Sequence, residues 1–255
     1  MLTIDIGNSR IKWALFQGNE VSRYRALEYN RENFRAVIES ENLPLSGNAV
    51  LISHVGSQQN KLELIDYLKS RQCNDFVFAR TQLEQCQVKN SYLEVSNMGV
   101  DRWLAMLAAY HSPGRQKGNA VCVIDCGTAI TVDVVSDEGV HLGGLIMPGI
   151  KTQYMSLMKT TSGIEQAVAA QEDQSDGALL GTSTAACVQL GCSQLVENGV
   201  SAILARLIKS HLGRLDCLVA GGDGEALIKG LGVDAIYSPY LVLEGLRLTT
   251  KAPQE

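Results

Sequence analysis

The chain has 255 residues, 45% of them apolar and 19% charged, enough for one large or two compact globular domains and too apolar for disorder. Lys and Arg number 22 against 27 Asp and Glu, a formal charge of −5, and aromatics are 5%, which excludes a general nucleic-acid binder and a base-stacking platform. An anionic ligand would need a local device: a positive side chain, a metal, or oriented backbone N–H groups.

In chain order, LTIDIG (2–7) is a short apolar strand, and RIKWALF (10–16), the turn QGNE and VSRYRAL (21–27) continue it as an antiparallel meander. Residues 31–40 have helical spacing, AVLISHVG (49–56) is a buried strand, LELIDYLKSR (62–71) an amphipathic helix and DFVFAR (75–80) another strand. DRWLAMLAAYH (101–111) is a helix with Asp101 where an N-cap would sit. The polar, glycine-bearing GRQKGN (114–119) marks a domain boundary, giving domains 1–115 and 116–255. The chain then starts again: AVCVIDCGTAITVDVV, a turn and GVHLGGLI repeat the order strand, Asp-x-Gly loop, alternating strand, strand. Asp5 and Asp125 lie 120 residues apart, nearly half the chain, so the pattern is a domain-sized duplication in an α/β protein. Helices at 183–196 and 200–211, the strand LDCLVAGG (215–222) and a short helix after GGDG complete it.

The N-terminus MLTIDIGNSRIKW has no basic region ahead of an apolar stretch, which makes a cytoplasmic location the expectation. The uncharged stretch from Gly177 to Val196 carries Gln189, Ser193 and Gln194, so a buried helix is expected there rather than a membrane span. The seven cysteines form no CxxC pair, and Cys122 and Cys126 on one strand would stand about 13 Å apart, beyond disulfide reach, so reduced thiols are expected.

Four loops carry candidate chemistry. Asp5-Ile6-Gly7-Asn8-Ser9 ends the first strand; glycine lets the backbone approach a phosphate, and Asp5 beside a polyphosphate makes sense with Mg²⁺ between them. Asp125-Cys126-Gly127-Thr128 repeats the device, and the pair would clamp a polyphosphate. Either loop alone reads equally as an ordinary turn, and the repetition tips the balance toward a nucleotide. Ala220-Gly221-Gly222-Asp223-Gly224 offers a flat glycine ledge for adenine or ribose, or is a plain strand–helix turn. Gly99-Val100-Asp101-Arg102 opens a helix: a cap with a solvated charge, or a general base beside a carboxylate-gripping arginine. A Walker loop, an HExxH pair and a GxSxG elbow are absent from the sequence, and Gly230–Ala235 matches G-x-G-x-x-A too late in the chain to open a dinucleotide domain.

The segments DIGNS, GVDR, IDCGTAIT, GGLIMPG and GTSTAACVQLG, in this order across nearly the whole chain, together resemble the type III pantothenate kinase family, also called the Bvg accessory factor family. The resemblance implies two duplicated ribonuclease-H-like domains of the actin-like ATPase superfamily, with mixed sheets and flanking helices. It implies ATP-dependent phosphorylation of pantothenate at its 4′-hydroxyl, the first step of coenzyme A synthesis. Position by position, it assigns Asp5, Ile6, Gly7, Asn8, Ser9, Arg10, Ile11 and Lys12 to the first ATP loop and Thr128 to the second; by the residue reading above, Gly127 joins Thr128, and Gly221 and Gly222 face the adenosine. Asp101 matches the catalytic base, Tyr92, Gly99, Val100, Arg102 and Thr184 the pantothenate contacts, and Asp125 the ligand of a monovalent cation, K⁺ or NH₄⁺. Asp5 would serve Mg²⁺. Ser9 stands where the family usually has threonine, and Ser183 where it often has asparagine, which leaves Thr182, Ser183 and Thr184 as alternatives for one substrate hydroxyl contact. A homodimer that completes the substrate site across its interface is implied, with neither nucleic acid nor membrane as partner. The other readings are a different kinase or phosphatase of the superfamily, or a non-enzymatic regulatory factor; Asp5, Asp101 and Asp125 together favour an enzyme.

Overall fold

A computed structural model describes residues 1–169, 178–212 and 214–251. Gly177, which opens the uncharged stretch, lies outside the described residues. The chain forms two compact units: Met1–Lys117 with Asp133–Gly143 and Tyr240–Glu255, and Gly118–Val132 with Gly144–Pro239. The first crossing between them, at Lys117, falls inside the GRQKGN segment, and two later segments group with the first unit.

The first sheet contains β1 (Leu2–Ile6), β2 (Arg10–Gln17), β3 (Glu20–Glu28), β4 (Val50–His54) and β5 (Phe76–Phe78), in the order β3-β2-β1-β4-β5. β1 to β3 form an antiparallel meander, and β4 and β5 join parallel to β1. β1 is buried at every position, as a central strand covered on both faces must be. β3, at the edge, carries Arg23, Arg25 and Glu28, charges that discourage a further strand from pairing there.

Helix α1 (Phe34–Glu41) starts three residues later than its spacing suggests, because Asn30 and Asn33 bind each other's backbone N–H at 3.0 and 2.7 Å and hold a turn instead. Helix α2 (Gln58–Ser70) starts four residues earlier than the apolar pattern, capped by Ser57 Oγ accepting the Asn60 N–H. Phe34, Ile38, Leu64 and Leu68 from these helices close over Ile4, Ile52 and Trp13 of the sheet. A two-stranded ribbon, β6 (Glu84–Gln85) and β7 (Val88–Lys89), precedes α3 (Val100–Tyr110), whose residues are buried all round except Asp101 and Tyr110.

The second sheet contains β8 (Ala120–Cys126), β9 (Ala129–Val135), β10 (His141–Pro148), β11 (Leu215–Gly221) and β12 (Ala235–Tyr237), in the order β10-β9-β8-β11-β12. Renumbered from its own first strand, this is the order of the first sheet, so the duplication seen in DIG and DCG extends to the whole topology. Two helices that the sequence pattern did not disclose, α4 (Ile150–Thr160) and α5 (Ser162–Ala169), follow β10. The pair expected at 183–196 and 200–211 is mainly one helix, α6 (Thr184–Leu207). Gly199 in its interior costs about 1 kcal/mol relative to alanine, and burial of Val196, Val200 and Leu204 along one face outweighs it. Short α7 (Gly224–Ile228) follows β11, and α8 (Leu241–Leu248) packs on α3.

Candidate active site

Asp5 is the penultimate residue of β1, with 5% of its surface exposed. Its register partners are Lys12 on β2 and Ser53 on β4, which puts the carboxylate and the lysine on one face of the sheet. The loop after it is a tight hairpin in which Gly7 N–H donates to Arg10 C=O at 3.0 Å. Within the stretch Asp5 to Lys12, the Ile6 and Ile11 side chains belong to the hydrophobic core, so these residues offer a ligand only backbone. Arg10 pairs with Glu28 at 2.8 Å on the surface, while Asn8 and Ser9 are exposed at the loop tip.

Tyr29 holds this loop at both ends. Its N–H donates to Ser9 C=O at 3.0 Å, its hydroxyl donates to Gly7 C=O, and Asn60 on α2 donates to the same hydroxyl at 3.1 Å. Burial raises the Tyr29 pKa, and the charge of Asp5 adds to the effect, so the phenol stays a hydrogen-bond donor. Nothing in the spacing of Tyr29 signalled this contact.

The second loop is tighter: Gly127 N–H donates to Ala129 C=O, two residues on. Thr128 C=O accepts from Gly149 N–H at 3.1 Å and Thr152 Oγ1 at 2.5 Å, which ties the loop to the start of α4. On the other side, Asp125 and Cys126 run beside Ala220 and Gly221 of β11. Gly221 has φ of +89°, and a Cβ there would stand 2.2 Å from Cys126 O, so only glycine fits. Burial, with the charges of Asp125 and Asp223 added, pushes the Cys126 thiol up to about 12, leaving it protonated and unreactive. Gly222 is exposed at the end of the ledge.

Gly99, not Asp101, is the N-cap of α3. Asp101 is the second residue of the helix, and its Oδ1 accepts the N–H of the next residue, Arg102, at 2.8 Å. The cap therefore falls two residues before the expected position, and the Asp101 carboxylate sits in the first turn, at the positive end of the helix. A Cβ on Gly99 would come within 2.6 Å of Asp101 Oδ1, so glycine is what leaves room for this rotamer. Arg102 is 7% exposed, and its Nε and Nη2 donate to Asp133 Oδ2 and Oδ1 at 2.8 and 2.6 Å. Its Nη1 donates to the Tyr92 hydroxyl at 2.7 Å. Burial opposes the charge on Arg102, but the bonds and charge of Asp133, helped by Tyr92, outweigh it and raise its pKa above the ordinary value. Thus Tyr92, Gly99, Val100, Asp101 and Arg102 come together in the first unit, with the Val100 side chain in the core.

Asp133 escaped the sequence reading. A lone acid within the apolar run ITVDVV was the available signal, since a buried carboxylate requires a cationic partner.

Thr184 is the first residue of α6, in the second unit. Ser183 is the cap, its Oγ accepting Ala186 N–H at 3.2 Å. Its acceptor side is committed to the helix, whereas Thr182 is exposed and Thr184 half-buried. Among the described residues no group of three His, Cys, Asp or Glu side chains could hold a metal. A single carboxylate at each loop suits Mg²⁺ or a monovalent ion bound largely through phosphate oxygens and water, not one held in an all-protein cage. No helix of the described residues is long and apolar enough to cross a membrane.

The family model for type III pantothenate kinase matches residues 1–206. The chain belongs to the type III pantothenate kinase family. Curated type III pantothenate kinases from Nitrosococcus oceani and Hahella chejuensis are 30% and 32% identical to it, over 98% of this chain in each case and 94% and 97% of theirs. Among solved structures, a ROK family glucokinase from Streptomyces griseus, in complex with glucose and AMPPNP, superposes with a TM-score of 0.52 at 12% identity over 100% of this chain and 99% of its own. That likeness is one of fold, and the two sheets of like order are consistent with duplicated ribonuclease-H-like domains.

Proposed function

We propose that this type III pantothenate kinase transfers the γ-phosphoryl group of ATP to the 4′-hydroxyl of pantothenate, through Asp101 as general base. The observation that carries this reading is the Asp101 carboxylate, fixed at a helix start beside an arginine whose position a buried ion pair sets. Phosphoryl transfer needs positioning and charge neutralisation more than covalent help. Asp101 accepts the alcohol's proton as the oxygen attacks. Arg102 and Tyr92 hold the pantothenate carboxylate and polar groups, with a hydroxyl of Thr184 or Thr182 as a further contact. The backbone N–H groups of Asn8 and Ser9, the Lys12 ammonium and Thr128 meet the phosphates, and Gly221 and Gly222 face the adenosine. Asp5 would hold Mg²⁺ and Asp125 a K⁺ or NH₄⁺ ion, each supplying positive charge beside phosphate oxygens. The test is ATP turnover with pantothenate compared with glucose and other sugars: turnover confined to pantothenate supports the reading, and turnover only with a sugar overturns it.

Two expected outcomes bear on the assigned residues. Tyr29→Phe loosens the first loop and raises the KM for ATP several-fold while the KM for pantothenate stays put; steady-state kinetics on both substrates check it. Arg102→Ala raises the KM for pantothenate far more than that for ATP. It also lowers stability by about 3–5 kcal/mol, because Asp133 is left as a buried uncompensated charge; kinetics and a thermal melt read the two effects separately.

The protein acts as a homodimer in this proposal. Helix α4 has no fully buried residue, and Met155 and Leu157 on it, like Leu195 on α6, are exposed. Leu157 and Leu195 line an apolar groove of about 580 Å³ between α4 and α6, a surface that a second copy would cover. Light scattering on Leu157→Asp/Leu195→Asp should give the monomer mass, against the dimer mass for the parent; a monomeric parent contradicts the dimer.

A further inference from the structure

Arg102 is held by more than one carboxylate oxygen. Asp133 on β9 is 2% exposed, and its Oδ1 receives a second donor, Nε2 of His141, at 3.1 Å. A carboxylate only accepts, so Nε2 carries the hydrogen; in the neutral ring Nδ1 is then the acceptor, and Ser91 Oγ lies 3.0 Å from it as the donor. His141 is 1% exposed at the start of β10, and its ring lies 5.9 Å from that of Tyr92 at an interplanar angle of 30°. Arg102 donates to Tyr92, the chain neighbour of Ser91. The hydrogen bonds therefore close a ring: Ser91 to His141, His141 to Asp133, Arg102 to Asp133, Arg102 to Tyr92, and back through the Ser91–Tyr92 peptide. All five residues belong to the first unit.

We infer that His141 and Asp133 are positioning residues for pantothenate: they fix the Arg102 guanidinium and the Tyr92 ring in the orientation that receives the substrate. The inference rests on Arg102 and Tyr92 being pantothenate contacts. Three of the five N–H donors of Arg102 are committed to Asp133 and Tyr92, and this fork dictates where the other two point. An arginine side chain has four rotatable bonds; a bidentate carboxylate that is itself held by an imidazole removes that freedom before the substrate arrives, so less ordering is left to pay for on binding. The imidazole also takes part of the Asp133 charge that Arg102 would otherwise face alone. Neither His141 nor Asp133 needs to touch the substrate, and neither takes part in proton transfer from the alcohol.

The test compares His141→Ala, His141→Gln and Asp133→Asn with the parent, reading kcat, both KM values and the thermal midpoint. Loss of the His141 bond is expected to raise the KM for pantothenate about tenfold, with the KM for ATP unchanged and kcat within about twofold, the loss typical of a hydrogen bond to a charged group. Glutamine, whose amide N–H reaches the place of Nε2, restores most of that loss. A role confined to stability would instead lower the thermal midpoint without a selective change in the pantothenate KM, and that result overturns the inference. Asp133→Asn strips the countercharge from a buried arginine and endangers folding, which is why the histidine pair decides the matter. ¹⁵N shifts of His141 add a spectroscopic sign: the Nε2–H tautomer is expected, and the Nδ1–H tautomer contradicts the ring. Failure of the underlying reading looks different: Arg102→Ala and Tyr92→Phe would then leave the pantothenate KM unchanged, whereas failure of the positioning role leaves it unchanged only in His141→Ala.

Discussion

Replacing Asp101 by asparagine is expected to lower kcat by about 10²–10⁴-fold with the KM for ATP near the parent value. Asparagine has the same shape and can still accept the Arg102 N–H through its amide oxygen, so the start of α3 keeps its bond. In the proposed mechanism, what disappears is the oxygen that would take the alcohol's proton, together with the negative charge beside the helix terminus. The effect should therefore sit in kcat, not in binding, and a circular dichroism melt should match the parent. Gly99→Ala gives a milder version by a different route. The new Cβ would stand 2.6 Å from Asp101 Oδ1, and the flexible end of the side chain is what yields, so the base is displaced while the fold remains. An Asp101→Asn enzyme that turns over at the parent rate would reduce Asp101 to a helix-start residue.

Activity in Na⁺ or Tris with saturating Mg²⁺ is expected to be low, and K⁺ or NH₄⁺ is expected to restore it. In the proposed assignment Asp5 and Asp125 each meet phosphate oxygens of ATP, and a carboxylate beside a polyphosphate repels it unless a cation intervenes. Mg²⁺ at Asp5 would account for one in this proposal. Asp125 sits at the end of β8 with Asp223 close enough for both charges to act on Cys126, so the acidic character of this strand end is greater than one carboxylate implies. Asp125→Ala should remove the response to K⁺ and leave the protein folded. Equal rates of the parent enzyme in K⁺ and Na⁺ at matched ionic strength contradict the cation role whatever the variant does.

The duplicated topology was legible from DIG and DCG because each marks the same event, the end of a buried strand where the backbone must turn tightly. The central strands were legible for the same reason: a strand covered on both faces reads as an unbroken apolar run, as in LTIDI and AVCVIDC. Element ends were less so. The start of α1 is set by an Asn30–Asn33 exchange and that of α2 by Ser57, both local hydrogen bonds outside the apolar rhythm. Helices α4 and α5 were hidden because α4 has no buried face of its own to impose a periodicity.

Within the candidate site, residues carried by loop motifs were easy to single out and residues that act through partners were not. Asp5, Gly7, Gly127 and Asp101 announce themselves by type and spacing. Arg102 could be named but its surroundings could not: the carboxylate that holds it comes from 31 positions later, on β9. Tyr29 and His141 likewise reach residues far away in sequence, Gly7 and Ser91, and no local pattern encodes a contact that only the folded chain creates.

The account is tested most directly by incubating the purified chain with γ-labelled ATP, Mg²⁺, K⁺ and pantothenate and identifying the labelled product. The prediction is stoichiometric transfer of label to the 4′-hydroxyl of pantothenate, with release of ADP and with loss of transfer in Asp101→Asn. Label recovered only as inorganic phosphate, or on a sugar with pantothenate untouched, would contradict it.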